Sequence, residues 1–504
     1  MAPSPIVLAA ACVALPVFWV LHTRSPLPAL PYRLPWIGNL LQLIPWRNNV
    51  VGWLEHIQEQ YGEICELYLP LWGRILVIGH PAWLQHVKQG DTDRYSRGPI
   101  AIGVFKEFPG PKTPVASEGA EWRKARKVMA PIFSVKSFTN HISHSMRDIS
   151  SVTRQLLDSV AKQDGLVDWN DLCGKIALEI FCISCLSIKT NKLRTDPECL
   201  KEDDYLRDCL IAVSQTSVKR LFNPFYKWTE LLTGEGRKFE TSRAHIRALV
   251  DDVVAKRRSS ENTDGVTHGD YLSQIINDPE YDNAELLRNT LVVLLFASGD
   301  NTRNSLTWSM HALLQHPEWM EKMREEAVRN GQLSADLMIE YAHLNRFPIA
   351  MAVFYETVRL WPGLPKNARL AVNDDVLPAI PEHDLPAVKV NKGDYVLWSD
   401  FVMMRNPKVW GPNADVFDPT RHLKDGVFYK PGQPDFNGFG SGPRLCPAAQ
   451  LAAYEFVATW ASLLPHFNFE AAYKEEPKRD EAFTMSVAGQ LPVKISARDA
   501  AVFN

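Results

Sequence analysis

Cys446 stands in FGSGPRLCPAAQ, between a glycine-rich loop and an apolar stretch, and a cysteine so placed can ligate a metal. Gly438, Gly440 and Gly442 permit backbone angles that other residues avoid, so the loop can turn tightly and aim its N–H groups inward. Pro447 is expected to open a helix continuing as PAAQLAAYEFVATWASLL, since a first helical position loses nothing by lacking an N–H. A helix N-terminus favours the thiolate by only ~0.3–2 kcal/mol, too little to ionise it fully. A bound metal would complete the ionisation. Arg444 adds a fixed cation two residues before the sulfur.

Three further sets of residues carry charge into apolar surroundings. Asp300 interrupts the run LVVLLFASGDNT, where a carboxylate needs a task or a partner. Glu356 and Arg359 lie at i and i+3 in FPIAMAVFYETVRLWP. Such a pair is worth ~0.3–0.5 kcal/mol at a surface, but once buried the loss of either partner costs ~3–5 kcal/mol. Trp122 and Arg126, in EWRKARKVMAPIF, are four apart and share a helix face.

In this order along the chain, these segments resemble the cytochrome P-450 superfamily. The cysteine loop matches the family's haem-binding string at Phe439, Gly442, Arg444 and Cys446, and departs from it at Ala448, where glycine is usual. ASGDNT is similar to the oxygen-activation motif, with Asp300 as the acid, Asn301 replacing the usual threonine and Thr302 in the second threonine position. Glu356 and Arg359 look like the family's ExxR, completed by FxPxR at Phe417, Pro419 and Arg421, and Trp122 with Arg126 looks like its WxxxR.

The resemblance implies Cys446 as the axial ligand of haem b (iron protoporphyrin IX), with Trp122, Arg126, Arg369, Phe439 and Arg444 as further cofactor contacts. It implies Asp300, Asn301 and Thr302 as the catalytic residues that deliver protons. The implied fold is mainly α with small β-sheets, the haem lying between a long central helix and the cysteine-loop helix. The implied activity is a monooxygenase that inserts one atom of O2 into a hydrophobic small molecule, in secondary metabolite biosynthesis. Electrons would come from NADPH through NADPH-cytochrome reductase, with cytochrome b5 a further candidate donor. Since an amide is a poor acid, three options stay open: Asn301 orders a relay water, Thr302 takes over, or the enzyme is a haem-thiolate isomerase, dehydratase or ring-forming enzyme. A non-catalytic haem carrier or sensor is the alternative outside enzymes.

These residues need elements to hold them. Asp282 to Pro317 reads as one helix of about 33 residues, with Ser298 and Gly299 as a point where it can loosen. Tyr61 to Pro81 reads as a hairpin around Gly73, and Tyr205 to Arg258 as two helices about the aromatic turn LFNPFYKW. Residues 96–120 form an apolar loop that either covers substrate or packs into the core. Phe483 to Ile495 reads as a hairpin whose tip, Met485 to Gln490, enters the substrate pocket.

The 504 residues divide into a transmembrane anchor over 1–24, a proline-rich linker over 25–45 and one catalytic domain over 46–504. From Ala2 to Thr23 the only ionisable side chain is His22, and Arg24 follows the run. That pattern predicts a single-pass anchor in the endoplasmic reticulum membrane, with lipid as a partner and the catalytic domain cytosolic. A net charge of −3 without a basic tract excludes a nucleic-acid partner.

Overall fold

The computed structural model describes residues 27–264, 270–281, 283–331 and 339–498. The anchor over 1–24 lies outside the described residues, and among those residues no helix is long and apolar enough to cross a membrane. The architecture is mainly helical with small sheets.

One long helix, Ala284–Gln315, organises the rest. Asn283 caps it, its side chain accepting from the N–H groups of Glu285 and Leu286. At ~1.5 Å per residue its 32 residues reach about 48 Å. It is buried over two stretches, Leu287 to Leu295 except for the half-buried Arg288, and Thr302 to Leu313, as the absence of a polar stripe in its sequence demands. Between them the turn Phe296 to Asn301 is only partly covered, and Ser298 and Gly299 stay helical.

The C-terminal half of the long helix packs on two others. Leu306, Met310 and Leu313 share one core with Val353 and Phe354 of the lock helix (Pro348–Leu360) and with Phe456, Val457 and Trp460 of the cysteine helix (Ala449–Leu463). Each such side chain contributes ~1.5–3 kcal/mol by leaving water. Indole N–H groups fix the register: Trp169 donates to the Leu306 carbonyl at 3.2 Å and Trp460 to Ser309 Oγ at 3.0 Å. The N-terminal half packs on the helix Trp169–Leu186, where Cys182 and Cys185 are core residues.

The largest sheet has five strands in the order Ile64–Leu69, Gly73–Ile78, Tyr395–Ser399, Lys366–Ala371, Tyr95–Ser96. The expected hairpin is its first pair, with Leu69 opposite Gly73. A lid helix, Gly98–Glu107, occupies part of the apolar loop expected over 96–120. A clamp helix, Gly119–Met129, follows and carries Trp122 and Arg126. The roof helix, Tyr205–Phe222, leads through a short helix, Tyr226–Thr233, to Glu235–Asp264.

Two boundaries differ from expectation. The proline-rich stretch joins the body from Leu27: Leu30 is buried with Trp53 and Leu67, its N–H donates to the Glu66 carbonyl at 3.0 Å, and Asn39 is buried beside Tyr68. The C-terminal hairpin pairs Arg479–Glu481 with Met485–Val487, so its tip is Ala482 to Thr484. Pro492–Ala497 pairs instead with Phe467–Ala471, which fixes the register the local pattern left open.

Candidate active site

The cysteine helix starts at Ala449, with Ala448 as its N-cap residue, so Cys446 sits before the first turn and Pro447 does not open the helix. The loop is closed by the Cys446 N–H donating to the Phe439 carbonyl at 2.9 Å. Gly442 has φ +66°, and a Cβ there would come within 2.5 Å of the Lys88 carbonyl oxygen, so only glycine fits. Ala448 has φ −91° and ψ 6°, which any residue adopts, so the departure from glycine at this position introduces no backbone strain.

Burial pushes the Cys446 thiol up, against the Ala448 N–H and the Arg126 guanidinium, which favour the anion. Desolvation therefore outweighs the helix end, and a metal is what would make this sulfur a thiolate.

Cations converge on the loop. Arg126 donates to the Leu445 carbonyl, and the Arg444 guanidinium lies 4.7 Å from the centre of the Trp122 ring. Arg444 also pairs with Glu118 and lies 3.8 Å from Asp91. Arg369 is held on both Asp91 oxygens, by Nε at 2.5 Å and Nη2 at 2.9 Å. Lys88, 3.6 Å from Asp91, and Arg97, bonded through its N–H to Glu118, belong to the same cluster.

Burial and the neighbouring arginines push the Arg97 guanidinium down to about 9, and burial and Arg369 push the Lys88 ammonium down to about 7. Arg444 Nε is buried without a hydrogen-bond partner. Crowded, partly unsatisfied cations beside a cysteine fit a metal cofactor that carries acidic groups of its own, and the two propionates of a haem meet that need. Phe439 backs the loop, its ring centre 5.9 Å from those of Phe354 and Tyr355.

The long helix supplies the other wall. Asn301 Nδ2 donates to the Ala297 carbonyl at 2.9 Å, the back-bond a threonine hydroxyl could make to the residue four before it. Its Oδ1 faces Gly363, where a Cβ would collide with it. A side chain at Gly299 or at Gly440 would meet nothing within 4 Å, so both walls are left low. Asp300 is held by Arg303 at 2.7 Å and by the Thr484 hydroxyl.

Thr302 does not join Asp300 and Asn301. It is buried and donates to Glu455 Oε2 at 2.7 Å, about 100° round the helix from Asn301, tying the long helix to the cysteine helix. Burial lifts the Glu455 carboxyl to about 7 against that hydrogen bond.

Above this wall lie four aromatic rings, Phe105, Phe108, Phe296 and Phe483, with Val104 and Val218. A cavity of about 210 Å³ opens between the turn at Trp72, the lid helix and the end of the roof helix, where Glu107 pairs with Arg220. A groove of about 340 Å³ among Tyr205, Asp208 and Arg237 has none of the cysteine-loop residues in its lining.

Behind the cysteine loop is the lock. Glu356 and Arg359 have fully buried side chains and meet through two hydrogen bonds of 2.8 Å. Two side chains complete the lock: the expected Arg421 forms an ion pair with Glu356, its Nε 3.6 Å from Oε1, while its guanidinium donates to the carbonyls of Trp410 and Asn413, and His422, which was not expected, places Nε2 2.9 Å from Glu356 Oε2. His422, Lys88, Asp91, Arg97 and Glu455 were missed in the sequence. Only the adjacency of His422 to Arg421 offered a signal.

The cytochrome P450 family model matches residues 28–497. Cytochrome P450 monooxygenase cyp1 of the fungus Mycosarcoma maydis is 29% identical over 455 residues, 87% of this chain and 69% of its own length. Cytochrome P450 CYP94D108 of Paris polyphylla is 24% identical over 477 residues, 92% of each chain. Indoleacetaldoxime dehydratase of Arabidopsis thaliana is 24% identical over 483 residues, 94% of this chain and 93% of its own. With cysteine loop, cation cluster and lock in place, the chain belongs to the cytochrome P450 family and is a haem-iron monooxygenase, an oxidoreductase.

Proposed function

We propose that this enzyme inserts one oxygen atom from O2 into a hydrophobic small molecule of secondary metabolism, taking electrons from NADPH through a reductase. Haem b would be ligated by Cys446, with Arg97, Arg126, Arg369 and Arg444 around its propionates, Lys88 behind them and Trp122 stacked on Arg444. The cofactor supplies O2 binding and cleavage. The chain's own residues do the rest: the four phenylalanines exclude water, and Asp300 and Asn301 serve proton delivery and water binding at the opening in the long helix.

The observation that carries this reading is the Asn301 back-bond to Ala297. The amide makes the helix contact of an alcohol and leaves Oδ1 as an acceptor for a relay water, so the substitution is compatible with oxygen chemistry. A dehydration is the second reading, favoured by the missing alcohol and by the name of the Arabidopsis thaliana relative.

Two measurements test the proposal. Purified protein reduced with dithionite under carbon monoxide is expected to show the red-shifted Soret band of thiolate ligation, and Cys446→Ser to lose it. Turnover against a panel of fatty acids, terpenoids and polyketides is expected only with NADPH and reductase; product formed without them would establish the dehydratase reading instead.

For location, the reading is the endoplasmic reticulum membrane, with the body resting on lipid. Tyr32, Trp36, Leu71, Trp228, Leu231 and Leu232 are each at least 74% exposed. Trp72 joins their segments, stacking on Phe222 at 5.6 Å and donating to the Leu221 carbonyl at 3.0 Å.

A further inference from the structure

Resting on the monooxygenase reading, we propose that Thr484 is a positioning residue that latches Asp300 away from proton delivery until a substrate displaces the neighbouring Phe483. Both oxygens of Asp300 are engaged. Oδ1 accepts from Arg303 at 2.7 Å and Oδ2 from the Thr484 hydroxyl at 2.5 Å. A carboxylate so held cannot take up a proton and pass it on without giving up one of these bonds.

The two bonds differ in how easily they yield. Arg303 is 5% exposed, and its Nη2 also donates to Ser486 Oγ at 2.8 Å, so moving it away from Asp300 would leave a buried cation unpaired. Thr484 is a neutral donor at the tip of a two-stranded hairpin, and its bond is the weaker.

The next residue reaches the substrate side. The Phe483 ring lies 5.3 Å from Phe105 of the lid helix and 5.9 Å from Phe296 of the long helix, and its N–H donates to Ser214 Oγ of the roof helix at 3.1 Å. Three elements that bound the substrate space therefore meet at one residue. The adjoining one holds the acid. A molecule large enough to push Phe483 aside moves the tip and frees Oδ2. Asp300 then accepts a proton from solvent there and gives it up toward Asn301, ending as the carboxylate it began as.

This arrangement keeps proton delivery slow without substrate. Reducing one O2 to peroxide takes two electrons and two protons, supplied by one NADPH and one further proton. When protons arrive in time the O–O bond breaks, and a second NADPH takes the oxygen to two waters. The ratio of NADPH consumed to peroxide released therefore reports whether the latch is open.

The test uses the full-length haem protein with its reductase and no added substrate, comparing wild type, Thr484→Ser and Thr484→Val. Thr484→Val is expected to raise the ratio of NADPH consumed to peroxide released, and Thr484→Ser to match wild type. Hydrogen exchange of the amides at 482–487 is expected to quicken about tenfold in Thr484→Val alone, as loss of one hydrogen bond to a charged group implies. Equal ratios in the three proteins overturn the proposal, even if exchange quickens, because the bond is then purely structural. If wild type lacks the thiolate spectrum, the monooxygenase reading has failed instead, and unchanged exchange would then remove the latch as well.

Discussion

Glu356 shows how one side chain can hold the proximal half together. Burial works against its charge, yet hydrogen bonds from Arg359 and His422 outweigh burial and hold its carboxyl at about 2. Because this is below the ordinary value of 4.5, the group adds stability that is fully present above about pH 4.5 and is lost as the pH falls toward 2. The linkage is worth ~3 kcal/mol. Glu356→Gln is therefore expected to cost ~3–5 kcal/mol near neutral pH and to leave little haem-loaded protein, the gap from wild type closing as denaturation is followed down to pH 3. His422→Phe is expected to cost ~1–3 kcal/mol by the same denaturation measurement, more than Arg421→Lys. The sequence pattern drew attention to Arg421, the larger charge. Which of two adjacent side chains turns inward is set by the 3₁₀ turn Pro419–His422, whose geometry the pattern does not encode.

Among the elements, the long helix and the cysteine helix are the two walls of the site, and Thr302 with Glu455 is a polar tie between them. Their extents were legible, because an apolar run of this length with Asn283 before it and Pro317 after it permits little else. The tie was not, since Glu455 reads locally as one more helix-forming residue and its burial depends on a helix more than 150 positions away, as the 153-residue separation shows. The hairpin tip was misplaced for a similar reason: its neighbouring strand is claimed by Phe467–Ala471. Burial holds the Glu455 carboxyl at about 7, above its ordinary 4.5, so the folded state binds this proton more tightly than the unfolded one. Stability is then lost as the pH rises from about 4.5 to 7 and is not regained above it. Glu455→Gln keeps an acceptor for the Thr302 hydroxyl and removes the charge. Thermal melts are expected to place it above wild type at pH 8, by up to ~3 kcal/mol, and level with it at pH 5. A variant less stable than wild type at both values would mean that the carboxylate is paired and not merely desolvated.

At the scale of the molecule, one set of exposed apolar side chains lies on segments that Trp72 links, where the chain first joins the body. Arg33 lies over the Tyr68 ring at 3.0 Å, Leu71 occupies the following turn, and Trp72 ties that turn to the roof helix just before Trp228, Leu231 and Leu232. Trp36 is 95% exposed and Trp228 74%, in a chain where Trp53, Trp83, Trp169, Trp308, Trp398 and Trp460 are fully buried. Exposed indoles suit the proposed lipid contact, since such rings favour a membrane interface with the apolar ring in lipid and the N–H toward water. The aromatic turn at 221–228 was legible in the sequence, but the exposed residues at 32–36 and 71 were not, because their link to it through Trp72 exists only once the first hairpin folds. The expectation is tested with the full-length protein on vesicles of phosphatidylcholine with brominated acyl chains, with Trp19, outside the described residues, replaced by phenylalanine throughout. Bromine quenches only indoles within contact range, so the six buried tryptophans stay bright. Tryptophan emission is expected to fall on vesicle binding, and Trp36→Phe with Trp228→Phe together to remove that fall. Quenching that survives in the double variant would place the lipid contact on another face, and the apolar end would then need a protein partner to cover it.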